Sequence, residues 1–96
     1  MINDLQDFKN SLKLNAVPDE LTVLLQALWF DGKGEWTTAH NLIDELADKK
    51  AAHIHAYLHR KEGDGWNADH WYRRAGKVNP DISLEAEWEE LVKSQL

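Results

Sequence analysis

The stretch GDGWNADHWYRRAGKVNP, Gly63 to Pro80, decides the fold. Its Gly-Asp pair stops one helix and opens another. Ala68, Trp71, Tyr72 and Ala75 then fall at i, i+3, i+4 and i+7, one face of a helix, and Pro80 closes the link that follows. A looser copy begins 29 residues upstream at Gly34. Superposing Gly34 on Gly63 pairs Glu35 with Asp64, Ala39 with Ala68, Ile43 with Tyr72 and Leu46 with Ala75. In the preceding helices it pairs Ala27 with Ala56 and Trp29 with Leu58. Small residues let two helix axes approach, and large residues one turn away fill the space between neighbouring hairpins. A fixed internal period of this kind is the mark of stacked helical hairpins.

Outward from that core, the rest of the chain reads as helix. Leu5, Phe8 and Leu12 mark a first helix within residues 2–14, with Asn3 or Asp4 as its cap. The segment 15–18 breaks it, because the residue before a proline is pushed out of the helical region. Pro18 is then expected in the first turn of a second helix, with Asp19 and Glu20 near its positive end. That helix carries Leu21, Leu24, Leu25, Leu28 and Trp29 and stops in the segment Asp31-Gly32-Lys33-Gly34. A third buries Trp36, Ala39, Leu42, Ile43 and Leu46. A short polar link, Asp48-Lys49-Lys50, leads to a fourth that ends at Gly63. The fifth begins near Asn67. The sixth, capped by Asp81 or Ser83, sets Leu84, Trp88 and Leu91 on one side and Glu85, Glu87, Glu89 and Glu90 on a solvated face. No segment alternates with period two. The expectation is one all-α domain of about six helices, with two helix–turn–helix repeats at 19–48 and 49–80 between capping helices at 1–17 and 81–96.

The second copy resembles the tetratricopeptide repeat. That family's pattern of Gly-Asp, small, aromatic, small and Pro is matched by Gly63, Asp64, Ala68, Tyr72, Ala75 and Pro80. The period here is 29 residues against about 34 in the family. Gly65, with Trp66 next to it, replaces the family's aromatic after Gly-Asp, and His55 and His59 stand where a Leu and a Tyr are expected. The stretch from His55 to Gly76 also resembles one found in small bacterial helical proteins, which brings no activity with it. The tetratricopeptide resemblance implies a scaffold that binds peptides along the inner face of each repeat's first helix. In the second repeat that face is Lys50, His53, Tyr57, Arg60 and Lys61, suited to an acidic peptide or carboxylate. In the first it includes Leu21, Leu24, Leu28 and Asp31, which helix 1 is expected to cover.

The 96 residues bear a net charge of −6, distributed unevenly. Residues 49–80 hold seven Lys and Arg against three carboxylates, and both flanks are acidic. One reading is mutual solvation of neighbouring helices, the other a basic groove for an anionic partner. An acidic chain with no nucleic-acid module is not expected to bind duplexes. There is no cysteine, hence no disulfide framework or thiolate metal site. No basic leader and no apolar run of membrane length is visible, so a cytoplasmic protein without membrane contact is expected.

Three candidate sites remain. Besides the α-helical groove, Trp66, Asp69, His70, Arg73 and Arg74 form a second surface on the outer side of helix 5, unless the arginines pair with the acidic last helix. His55 and His59, four apart, share a helix face and read first as hydrogen-bonded core residues. The alternative is a metal or small-ligand site in which His70 joins them, with the possibility of an enzyme. Ala56 occupies the place of the glutamate in a zinc-protease motif, and no serine has nucleophile-elbow glycines around it. No cofactor is expected. The leading expectation is a non-enzymatic protein- or peptide-interaction module, monomeric or homodimeric. A homodimeric subunit of a larger assembly is the third reading.

Overall fold

The computed structural model describes residues 1–96 and contains six helices and no strand. They are α1 (Leu5–Ser11), α2 (Val23–Gly32), α3 (Trp36–Ile43), α4 (Lys49–Glu62), α5 (Gly65–Ala75) and α6 (Leu84–Gln95). Five begin on a side-chain cap: Asp4, Thr22, Asp48, Asp64 and Ser83 each accept from the backbone N–H three residues on. Such a cap contributes about 1 kcal/mol to a helix end.

Several boundaries differ from the sequence reading: α3 ends at Ile43, leaving Leu46 outside it, and α5 starts at Gly65, two residues before Asn67. Pro18 is not in α2, because its carbonyl accepts from the Leu21 N–H in a separate turn and Thr22 is the cap. Asp19 and Glu20 therefore stay outside the helix, and Glu20 accepts the Ile2 N–H instead. Lys49 and Lys50 are the first turn of α4 and not a link. Of the two glycines after Asp31, only Gly34 has positive φ, at 83°. Gly32 lies inside α2, where a Cβ would come within 3.0 Å of Leu12 and 3.1 Å of Trp88. It is a point of close approach.

α2 with α3, and α4 with α5, pack as two hairpins that touch through α3 and α4. Their turns are built alike. Gly34 N–H bonds to Asp31 O and Glu35 N–H to Phe30 O; Gly63 N–H bonds to Arg60 O and Asp64 N–H to His59 O. Gly34 and Gly63 have φ of 83° and 87°, where a side chain is strained. Ala39 and Ala68 are fully buried at matching places, as are Ile43 and Tyr72.

α6, not α1, fills the angle between α2 and α4, and α1 packs on α6. Phe8 meets Trp88 with ring centroids 5.7 Å apart. Three tryptophans tie elements together through their indole N–H: Trp29 to Ser11 O, Trp36 to Leu58 O and Trp88 to Leu28 O. Their partners are carbonyls on other elements, so each ring adds burial without leaving its nitrogen unsatisfied. The Lys33 ammonium bonds the Leu12 and Leu14 carbonyls, which closes the α1 end over α2.

Candidate functional site

Of the five basic or aromatic residues on the inner side of α4, four are used within the molecule. Tyr57 is buried and donates to Asp31 Oδ2 at 2.7 Å, and Lys61 bonds Asp31 Oδ1 at 2.9 Å. Arg60 bonds Glu87 Oε1 at 2.8 Å and the Ile82 carbonyl. His53 Nε2 stands 3.6 Å from Glu87 Oε2. Glu87, expected on a solvated face, is 1 % exposed and also accepts from Tyr72 Oη with both oxygens, at 2.8 and 2.7 Å. The reason is the seat of α6: its inward turn brings a carboxylate against Arg60, and a buried carboxylate needs such partners. Burial pushes the Glu87 carboxyl upward, but hydrogen bonds from His53, Tyr72 and Arg60 outweigh it and hold it below its ordinary value. Burial and the adjacent carboxylates raise Tyr57 and Tyr72 far above an ordinary phenol, so both remain donors. The acidic group that this face suits is thus supplied by the chain itself. Lys50 alone is free, beside a cavity of about 340 Å³ bordered also by Lys49, Lys77 and His53. None of the three lysines makes an ion pair.

On the opposite side of α4 lies a layer of histidines. His55, 3 % exposed, stacks on Trp71 of α5 with centroids 3.9 Å apart. Its Nε2 faces His40 Nε2 of α3 at 3.0 Å. His40 in turn stacks on Trp36, one turn before it, at 4.9 Å and 10°. His59 stacks on His55 at 4.9 Å, and its Nδ1 is 2.6 Å from Glu62 Oε2. Asp44, one turn after His40, places Oδ1 3.7 Å from His40 Nε2 and 3.8 Å from His55 Nε2. Burial, followed by the charges of His40 and His59, pushes His55 down to about 4, so it is neutral at neutral pH. One ring nitrogen from each of His40, His55 and His59 lies within 4.8 Å of the others. His70, the third member expected from sequence, is not in this group. It meets Trp71 edge-on at 5.3 Å and lies over Trp66 at 6.5 Å.

The outer side of α5 continues from this layer. Trp66 is 78 % exposed. Arg74 lies over the Trp71 ring, 5.1 Å from its centroid, and Arg73 is exposed. Neither arginine pairs with α6, whose Glu87 is taken by Arg60 and whose Glu89 is taken by Lys9 at 2.5 Å. Asp69 makes one long bond, 3.4 Å, to Asn79.

No family model, curated protein or solved structure matches this chain.

His40 and Asp44 are the members of the histidine layer that the sequence reading passed over. The signal was present: a pair four apart on α3 repeats the four-residue spacing of His55 and His59 on α4. On the stripe of α3 that pair sits beside the apolar residues and reads as ordinary surface. Only the packing of α3 on α4 brings His40 against His55, with Asp44 at the rim.

Proposed function

We propose that the chain is a cytoplasmic, non-enzymatic protein-interaction module of tetratricopeptide-like type, and that its partner face is the outer side of α5. The observation that carries this is Trp66, 78 % exposed, on a helix whose other face buries Ala68, Tyr72 and Ala75. An exposed indole offers apolar area for a partner to cover, and tryptophan and arginine are among the residues that dominate interface energetics. Arg73 and Arg74 have no carboxylate of their own, so the complementary partner is an acidic segment with apolar side chains. The two hairpins with matched glycine turns support the repeat-scaffold reading. The inner face of α4 is the weaker place for a partner, since Glu87 and Asp31 already occupy its cations.

The test is photo-crosslinking from position 66 in native cells, with position 23 on α2 as the control. The expected result is a discrete adduct from position 66 alone, its contact segment acidic, that disappears in the Arg73→Glu/Arg74→Glu chain while the helical spectrum is unchanged. Adducts that ignore this charge reversal, or none from position 66, contradict the reading.

A further inference from the structure

We propose that His40, Asp44, His55 and His59 form a binding site for a divalent transition metal of the zinc type, located at the seam between the two hairpins. The inference is independent of whether α5 docks a partner. Its basis is the geometry of three atoms. His40 Nε2, His55 Nε2 and Asp44 Oδ1 are separated by 3.0, 3.7 and 3.8 Å. A point equidistant from all three lies about 2 Å from each, which is the bond length zinc makes to imidazole nitrogen and carboxylate oxygen. Ligands of a tetrahedral ion stand about 3.3 Å apart at such bond lengths; both Asp44 edges are longer than this, so an inward shift of that half-exposed carboxylate by a few tenths of an ångström lifts the ion out of the plane of the three atoms and opens a fourth position.

The fourth position falls to His59. One of its nitrogens is within 4.8 Å of those of His40 and His55, which makes it the nearest further imidazole to the triangle. Glu62 holds His59 Nδ1 at 2.6 Å, the kind of carboxylate–histidine contact that fixes a tautomer and leaves Nε2 as the donor nitrogen. Two helices contribute in a similar manner, α4 with His55 and His59 and α3 with His40 and its C-cap residue Asp44, each pair one turn apart. Trp36 and Trp71 stack on His40 and His55, so an indole face covers each of these two donors. Access is from the Asp44 side, whose side chain is half exposed. A donor set of imidazole and carboxylate without thiolate suits zinc, cobalt and nickel over soft ions.

The experiment is calorimetric titration of the chelator-treated full chain with Zn²⁺, and optical titration with Co²⁺. Saturation at one equivalent is expected, with the visible spectrum of four-coordinate cobalt. His40→Gln is expected to weaken binding roughly 100-fold or more and Asp44→Asn about 10-fold. His70→Gln and His53→Gln are expected to bind as the parent does. Both informative positions are partly exposed, and the metal-free helical spectrum of each variant confirms its fold before titration. An absence of saturable binding by the parent chain overturns the site, as does affinity unchanged by both His40→Gln and Asp44→Asn. Loss with His70→Gln but not with His40→Gln moves the ion to a different histidine set and overturns it too.

Discussion

His40 Nε2 and His55 Nε2 face each other at 3.0 Å across the contact of α3 with α4, although 15 residues separate them in sequence. α3 closes the first hairpin and α4 opens the second, so this pair marks the seam between them. Whatever occupies that seam acts on the alignment of the two hairpins. It also acts on Trp71, which carries the histidine layer to the outer face of α5.

A metal at the seam stabilises the folded chain by mass action. At free Zn²⁺ near 100 times its dissociation constant the gain is about 2.7 kcal/mol, or roughly 10 °C or more in Tm for a domain of this size. Thermal melts with Zn²⁺ and then with excess chelator are expected to show the rise and its reversal. His40→Gln is expected to show neither.

Acid weakens the metal-free chain in two stages. Burial and the charges of His40, His59 and His70 hold His55 down to about 4 from 6.5, with Asp44 opposing. Between those values the unfolded chain binds the proton and the folded chain does not, so stability falls as pH falls from about 6.5 toward 4. The gap corresponds to about 3 kcal/mol. Glu87, held below its ordinary value of 4.5, keeps its full contribution above that value and loses it as pH falls further, through its own folded value. Urea denaturation across this pH range is expected to show the first decline in the parent and a flattened one in His55→Gln.

Glu87 is the most consequential carboxylate of α6. Removing it as Glu87→Ala leaves Arg60 and Tyr72 without their partner in a buried place, at a cost of about 3–5 kcal/mol. Glu90, exposed on the same helix, is expected to change stability by no more than about 0.5 kcal/mol as Glu90→Ala. Chemical denaturation of the two variants separates the buried carboxylate from the solvated one.

The tryptophans divide in the same way. Trp88 is 7 % exposed, packs on Phe8 and bonds Leu28 O, so Trp88→Ala is expected to cost about 3–5 kcal/mol. Trp66 is free of such ties, and Trp66→Ala is expected to leave the melting curve within about 0.5 kcal/mol of the parent. A large loss on removing Trp66 contradicts its assignment to a partner face.

The helices were legible in the sequence because apolar residues at helical spacing and Gly34, Gly63 and Ser83 mark faces and ends locally. The start of α2 was not, because Pro18 and Thr22 both make acceptable openings, and Thr22 takes the cap while Pro18 closes a separate turn with Leu21. The candidate sites were legible only in part. Glu87 resembles its three acidic neighbours until α6 is seated against Arg60, 27 residues away. Asp31 likewise reads as part of a helix stop until Tyr57 and Lys61 reach it. His55 and His59 announced themselves by spacing, whereas the choice of third histidine rests on which neighbouring helix faces them. α3 brings His40 there, and α5 brings Trp71 and turns His70 outward.

The sharing of one ion by His40, His55 and His59 is read residue by residue by imidazole nitrogen NMR. One equivalent of Zn²⁺ is added to the ¹⁵N-labelled chain, and the ring nitrogens of all five histidines are followed. Large shifts and a single fixed tautomer are expected at His40, His55 and His59, with coordination through Nε2, while His53 and His70 keep their metal-free spectra. Unchanged rings at His40 and His55, or a coordinated His70, contradict it.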